Sequence, residues 1–155
     1  MNQPIETNSV RAWLLAARPK TLTGAWVPVI IAAALAYADQ TFKWLPAVLC
    51  LLFASLMQIA ANFINDLVDF QKGTDRSDRL GPERACAQGW ITAEAMRGGI
   101  VATILTACII GLTLLHWGSL WLIALGAVCV VFAFLYTTVL SYLGLGDLLV
   151  FVFFG

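Results

Sequence analysis

Long apolar stretches alternate with short polar ones along this chain. Thr21 to Ala38 and Trp44 to Asn65 contain no acidic or basic residue, and Gly98 to Gly146 contains none apart from His116. Roughly twenty apolar residues in a helix cross the hydrocarbon core of a bilayer. The first two stretches therefore predict one span each. The third predicts two, with His116 to Ser119 as the turn between them.

A further apolar run begins at Leu148 and reaches Phe154, just before Gly155. It is too short to cross a membrane by itself. We therefore expect an all-α, polytopic transmembrane helical bundle of about four spans plus the start of a fifth. This bundle forms one transmembrane domain over residues 1–155, which we expect to be truncated at its C-terminus.

Composition supports a membrane protein. The chain is 61% hydrophobic and 12% charged, whereas soluble domains are about half apolar and a quarter charged. A cleavable signal peptide ending near Ala36 to Ala38 is the alternative for the first run, but its charged lead is long and three more spans follow. Three of the four cysteines lie inside apolar runs, where cysteine packs as a small hydrophobic side chain, so the sequence does not predict disulfides.

Net charge is zero, but the basic residues are unevenly distributed. Eight of the nine lie before the first span or between the second and third, and Lys43 alone lies in the first connection. Basic residues favour the cytoplasmic side of a membrane. We therefore expect the N-terminus and the loop from Lys72 to Arg97 to be cytoplasmic, in the inner (cytoplasmic) membrane of a cell.

One face of the second predicted span is polar. Its members are spaced three or four residues apart and form a narrow stripe on a helix: Ser55, Gln58, Asn62, Asn65 and Asp69, with Asp66 at its edge. In hydrocarbon such a face must point at protein or water. Two carboxylates within one turn are costly there, so a cation or basic side chain must compensate them.

The acids are followed by a loop that carries both charges. Asp75 and Asp78 lie among the basic residues Lys72, Arg76, Arg79 and Arg84. Carboxylates together with phosphate oxygens suit Mg²⁺, and arginine and lysine suit phosphate groups. The loop therefore predicts a metal-bridged diphosphate site. The alternative is a solvated interfacial loop whose acids and bases pair with one another, although this does not explain the deeper Gln58 and Asn62.

The sequence resembles the UbiA-type membrane prenyltransferases, and most closely their 1,4-dihydroxy-2-naphthoate polyprenyltransferase branch. Four stretches carry the resemblance, in family order: Arg18 to Leu22, Asn65 to Asp75, Asp78 to Pro82, and Gly144 to Asp147 with Phe153 to Gly155. The resemblance implies transfer of a polyprenyl group from its diphosphate to 1,4-dihydroxy-2-naphthoate, giving demethylmenaquinone for menaquinone biosynthesis. It also implies Mg²⁺ as the cofactor.

The resemblance implies roles for particular residues. Asn65, Asp66 and Asp69 form the catalytic acidic motif. Asp66, Asp69 and Asp75 are the expected metal ligands, although the wider family often has its third acid at the position of Gly73. Lys72, Arg79 and Arg84 are candidates for diphosphate binding. Gln58, Asn62 and Tyr136 are candidates for the substrate pocket, and an interfacial tyrosine belt is the alternative for Tyr136.

The chain departs from the family in extent. Members have about nine transmembrane helices and a second acidic motif in their other half, so we expect this chain to be the N-terminal half of the fold. Expected partners are membrane lipid, a polyprenyl diphosphate and an aromatic acceptor, with no nucleic acid. A separate C-terminal half or self-association stays open. Alternatives for function are another acceptor such as 4-hydroxybenzoate, an inactive membrane-embedded truncation, or a cation transporter fragment.

Overall fold

Apolar runs and capping residues set the bounds of five α-helices in the computed structural model, which describes residues 5–73 and 83–135. The helices are α1 Val10–Ala17, α2 Leu22–Ala38, α3 Trp44–Lys72, α4 Ala93–Thr113 and α5 Trp121–Leu135, with short 3-10 turns at Pro19–Thr21 and Leu114–His116. No strand occurs in the described ranges. The predicted all-α fold class is confirmed.

Three apolar segments are long enough to cross a membrane: Val10–Ala38, Trp44–Lys72 and Ala93–His116. The predicted turn near His116 is confirmed, because α4 ends there and α5 begins at Trp121. Helix α5 is described only as far as Leu135, so the length of the predicted fourth span lies outside the described residues. The predicted start of a fifth helix, Leu148 to Phe154, also lies outside them.

Helix α3 extends beyond the charge-free stretch that ends at Asn65. It continues past Asn65 to Lys72 and ends at Gly73, whose φ of +62° is the left-handed conformation that glycine adopts readily. At 29 residues it measures about 44 Å, whereas the hydrocarbon core is about 30 Å thick. The acidic motif therefore lies within the last turns of a continuous helix, as the helical spacing of the polar stripe predicts.

Helix α4 begins earlier than predicted, at Ala93 instead of Gly98. The Thr92 hydroxyl accepts a hydrogen bond from the backbone N–H of Ala95 at 3.2 Å, which caps the helix. Glu94 and Arg97 are charged, so this first part of α4 lies outside the hydrocarbon. The apolar pattern, which starts at Gly98, does not include it. A threonine cap of this kind is a signal that the sequence does contain.

The first apolar segment is bent. Helix α1 ends at Ala17 and is capped by Arg18, which has a φ of +51°, and Pro19 follows. We call residues 18–21, between α1 and α2, the hinge. Since α1 buries Ala12 and Ala16 against the bundle, it packs at the same end of α3 as the acidic motif.

The buried core lies at this one end. It combines small α1 residues, the last half of α3, the start of α4 and the connecting loop: Ala12, Ala16, Phe63, Ile64, Leu67, Ala85, Cys86, Ile91, Met96 and Ile100. Large apolar side chains elsewhere are exposed, such as Ile30, Leu105 and Leu125. In a membrane protein those surfaces face lipid or other membrane helices.

The N-terminal segment is tied directly to the loop before α4. The backbone N–H of Asn8 donates to the Trp90 carbonyl at 2.7 Å, and the Asn8 side-chain oxygen accepts from the Thr92 N–H at 3.2 Å. The N-terminus and the loop between the second and third spans therefore lie on the same side of the bundle. This is the arrangement that the distribution of basic residues predicts.

Candidate functional site

Asp66 is the most deeply buried acid of the motif, with only 1% of its surface exposed. Its Oδ2 accepts a hydrogen bond from the backbone N–H of Ala85 at 2.8 Å, and its Oδ1 accepts one from the N–H of Cys86 at 2.9 Å. A buried carboxylate is stable only when its oxygens are hydrogen-bonded or paired. Here the loop supplies that compensation.

The loop from residue 84 to residue 91 is a compact turn. The N–H of Gln88 donates to the Arg84 carbonyl at 3.0 Å, and the N–H of Trp90 donates to the Ala85 carbonyl at 2.8 Å. Ala85, Cys86 and Ile91 are buried in the core, which fixes the loop against α3. We call residues 84–91 the anchored turn.

Asp69 lies one helical turn after Asp66 and forms an ion pair with Arg84. The Arg84 guanidinium donates to Asp69 Oδ2, and the two side chains are 8% and 17% exposed. This is the acid–base pairing that the interfacial alternative predicts. It also places a cation beside the acidic motif, as the diphosphate alternative predicts.

The deeper part of the polar stripe contacts the hinge and α2. Asn62 is 4% exposed, and its side-chain N–H groups donate to the Ala17 carbonyl at 2.8 Å and to Thr21 Oγ1 at 2.9 Å. Gln58 donates to Asn62 Oδ1 at 3.4 Å. Ser55 accepts from the indole N–H of Trp26 at 2.8 Å. The prediction that this face points at protein is confirmed for Ser55 and Asn62.

The remaining predicted residues are less buried or lie outside the described residues. Asn65 is half-buried on α3, four residues before Asp69 and thus on the same helix face. Lys72 is exposed at the end of α3. The predicted ligand Asp75, the predicted diphosphate contact Arg79 and the predicted pocket residue Tyr136 lie outside the described residues.

The donor chemistry of the motif fits a hard cation at one of its two acids. Asn65 and Asp69 offer amide and carboxylate oxygens on one face, the ligand type that Mg²⁺ takes together with water and phosphate oxygens. The Asp66 carboxylate fits poorly, because it is buried and both of its oxygens already accept backbone N–H groups. Within residues 5–73 and 83–135, no three His, Cys, Asp or Glu side chains are close enough to hold a metal.

Sequence reasoning missed two sets of partners. The backbone N–H groups of Ala85 and Cys86 have no side-chain signature, so nothing in the residue types marks them as partners of Asp66. Thr21 belongs to a stretch singled out by resemblance, but its contact with Asn62 joins positions 41 residues apart. Cys86 lies in the predicted polar loop, yet its side chain is buried. All four cysteines lie in described residues and are reduced.

Fold and site together define a multi-pass helical membrane protein with a charged, partly buried site at one end of the bundle. The chain belongs to the UbiA prenyltransferase family, whose sequence pattern matches residues 25–155. The matched region includes most of α2 and all of α3 and α4, and therefore the acidic motif and the anchored turn.

Individual relatives carry a more specific name. The chain is 37% identical to the 1,4-dihydroxy-2-naphthoate octaprenyltransferase of Escherichia coli (strain K12), over 97% of the chain and 52% of that relative. It is 37% identical to the enzyme of the same name from Haemophilus influenzae, over 94% of the chain and 51% of the relative. The Mycobacterium tuberculosis enzyme of that name is 36% identical, over 95% of the chain and 51% of the relative.

The chain spans about half the length of these relatives. No solved structure matches it significantly. The relatives therefore support the family assignment of the acidic motif and its helices, and the arrangement of the site is seen in the structure of this chain.

Proposed function

We propose that this chain forms half of a membrane prenyltransferase that transfers a polyprenyl group from polyprenyl diphosphate to 1,4-dihydroxy-2-naphthoate, as in menaquinone biosynthesis. The single observation that carries the proposal is the 36–37% identity, over nearly the whole chain, to relatives with that name. In the proposed reaction the bond between the prenyl carbon and the diphosphate oxygen breaks. A bond then forms to the naphthoate ring carbon, which loses its carboxylate as carbon dioxide.

The acidic motif would hold the cofactor. Asn65 and Asp69 have the ligand chemistry for Mg²⁺ and share a helix face, and Asp75 is the proposed third ligand. When bound, Mg²⁺ neutralises charge that develops on a leaving diphosphate. Asp66 belongs to the same motif, but its backbone partners argue against direct metal binding.

The basic side chains around the motif would bind the diphosphate. Arg84 is already beside Asp69 at the rim of the core, and a guanidinium can form two parallel hydrogen bonds to a phosphate group. Lys72 at the end of α3 and Arg79 are the other proposed contacts. A Mg²⁺–diphosphate complex carries both charges, so it can take over both partners of the Asp69–Arg84 pair at once.

The polar stripe would form one wall of the substrate pocket. Gln58 is half-buried on the same helical face as Asn65, which supports a place for it beside the prenyl or aromatic substrate. The Asn62 amide is engaged with the hinge, so its part is to fix the shape of that wall. Tyr136 is the proposed aromatic contribution.

The proposed location is the cytoplasmic membrane, with the N-terminus, the acidic motif and the anchored turn facing the cytoplasm. The basic residues support this orientation. Proposed partners are membrane lipid, the two substrates, and a second half supplied by another chain or by self-association.

A prenyl-transfer assay tests the proposal. Membranes containing this chain, alone or with the second half of the Escherichia coli relative co-expressed, receive a polyprenyl diphosphate and dihydroxynaphthoate. We expect demethylmenaquinol, which dissolved oxygen then oxidises to the demethylmenaquinone that is detected, with Mg²⁺ and no product with a chelator. Asp69→Asn should abolish the product while the protein still inserts into the membrane.

The acceptor is tested with the same membranes. Supplying 4-hydroxybenzoate in place of dihydroxynaphthoate should give little product. Product from 4-hydroxybenzoate alone would reassign the acceptor. The absence of product from either acceptor, with and without the second half, would overturn prenyl transfer.

A further inference from the structure

The two acids of the motif have different surroundings although they are one helical turn apart. Asp69 pairs with a side chain at the rim of the core, whereas Asp66 accepts hydrogen bonds from two consecutive backbone N–H groups. These bonds join α3 to positions 19 and 20 residues later. Asp66 therefore connects the helix that carries the motif to the anchored turn.

Arg84 is the residue directly before these two N–H groups. Its carbonyl accepts from Gln88 within the turn, and the N–H of Ala85 donates to Asp66, so the peptide unit between Arg84 and Ala85 is held at both polar groups. With Ala85 and Cys86 fixed on Asp66, the Arg84 side chain reaches Asp69, which lies three residues after Asp66 on α3. The position of the guanidinium thus depends on the Asp66 contacts.

We propose that Asp66 is a positioning residue whose carboxylate holds the anchored turn through the N–H groups of Ala85 and Cys86. The held turn in turn places the Arg84 guanidinium beside Asp69, where it can bind the diphosphate. The ligand part of this inference rests on the proposed function. The positioning part rests on the contacts alone.

The geometry explains why an acid is needed at this position. An ionised carboxylate accepts at both oxygens and carries no donor, which matches two adjacent N–H groups. Asparagine has one acceptor oxygen and would turn its own N–H₂ group toward a donor. Hydrogen bonds to a charged acceptor are also about twice as strong as neutral ones. Asp66→Asn therefore loses one bond and weakens the other.

The thiol of Cys86 provides a local reporter of the turn. Its side chain is 4% exposed, and the other cysteines, Cys50, Cys108 and Cys129, can be replaced by alanine so that it is the only thiol. The full chain in membranes is treated with a membrane-impermeant maleimide in the presence of a chelator. The labelling rate then measures how often the turn opens, without metal or substrate.

We expect Asp66→Asn to raise the labelling rate of Cys86 on the order of tenfold or more, as the loss of a charge-assisted hydrogen bond implies. Asp66→Glu, which restores both acceptor oxygens, should recover part of the protection. Asp69→Asn is the matched control, because the Asp69 carboxylate pairs with the side chain of Arg84. It should raise the rate much less.

A kinetic cycle tests whether Asp66 acts through Arg84. In membranes active for prenyl transfer, Asp66→Asn should raise KM for the prenyl diphosphate more than it lowers kcat, as should Arg84→Ala. Combining the two should add little to Arg84→Ala alone, because the guanidinium that Asp66 positions is already absent. A general loss of stability would instead act in both backgrounds.

Equal labelling of Cys86 in the unsubstituted chain, Asp66→Asn and Asp69→Asn would overturn the proposal. So would additive effects in the kinetic cycle. If Asp66→Asn does not accumulate in membranes, amide hydrogen exchange in the unsubstituted chain tests the anchoring instead. Slow exchange at Ala85 and Cys86 supports the anchoring, and exchange at the rate of an open loop refutes it. Labelling and exchange need no turnover, so failure of prenyl transfer leaves their result intact.

Discussion

The side-chain amide of Asn62 donates a 2.8 Å hydrogen bond to the carbonyl oxygen of Ala17, the last residue of α1. Carbonyls at a helix end lack partners within the helix, and they are costly when buried. The same amide also donates to Thr21 Oγ1. One buried side chain of α3 therefore binds both sides of the hinge.

Replacing Asn62 by alanine should destabilise this joint. Two hydrogen bonds are lost and the Ala17 carbonyl loses its side-chain donor, so we expect the free energy of unfolding to fall by about 2 kcal/mol. Thermal unfolding in detergent, followed by circular dichroism, measures the loss. Thr106→Ala is the control, because the Thr106 hydroxyl bonds only within its own exposed helix turn. Equal midpoints for the two variants would contradict the role of Asn62.

Two neighbouring glycines of α4 should respond differently to alanine. A Cβ at Gly99 would lie 2.6 Å from ring atoms of Trp13, whereas a Cβ at Gly98 meets nothing within 4 Å. The Trp13 ring also packs edge-on against Phe63, with 5.3 Å between centroids, which restricts its retreat. We expect Gly99→Ala to cost about 1–3 kcal/mol of unfolding free energy.

Gly98→Ala should be neutral or stabilise the helix by up to about 1 kcal/mol. Unfolding midpoints of both variants are measured in the same detergent. If Gly99→Ala is as stable as Gly98→Ala, α1 does not pack on α4 through Trp13.

The ion pair of Asp69 and Arg84 should show non-additive stability. Removing one partner leaves the other charge largely buried, which costs about 3 kcal/mol or more, while removing both costs less. We expect Asp69→Asn and Arg84→Met to be less stable separately than together. A double-mutant cycle on unfolding free energy measures the difference, with exposed Arg97→Ala as a control for loss of positive charge. Purely additive effects would show that the pair is not coupled.

Asn8 should hold the N-terminal segment on the loop before α4. Its side-chain oxygen accepts from Thr92, and its φ of +58° is a conformation that asparagine and glycine tolerate better than alanine. Asn8→Gly should cost about 1 kcal/mol through the lost hydrogen bond, and Asn8→Ala about 1 kcal/mol more through backbone strain.

The rate of tryptic cleavage at the exposed Arg11 reports this release. We expect the order Asn8→Ala fastest, then Asn8→Gly, then the unsubstituted chain. The same rate in all three would mean that the segment is not held there.

Membrane orientation can be measured at the two ends of α3. Asp39 precedes α3 at the end away from the acidic motif, and Glu83 is exposed beside the anchored turn. In a background without other cysteines, Asp39→Cys should react with an impermeant maleimide in intact cells. Glu83→Cys should react only after the cells are opened. The reverse pattern would invert the proposed orientation.

The chain's own residues determined the class of protein, the turn near His116, the polar face of α3 and the placement of the N-terminus on the same side of the bundle as the loop before α4. These features depend on composition, helical spacing and the asymmetry of basic residues, which are all local properties of the sequence. The start of α4 was less predictable, because charged residues such as Glu94 can extend a helix beyond the hydrocarbon.

Only the tertiary structure distinguished Asp66 from Asp69. Both are aspartates in one helical turn, so spacing and residue type treat them alike. Which carboxylate meets the backbone of Ala85 and Cys86, and which meets Arg84, depends on the path of the connecting loop. That path is set by burial of the loop's apolar residues in a core shared by α1, α3 and α4, and such contacts between distant positions leave no periodic signal in the sequence.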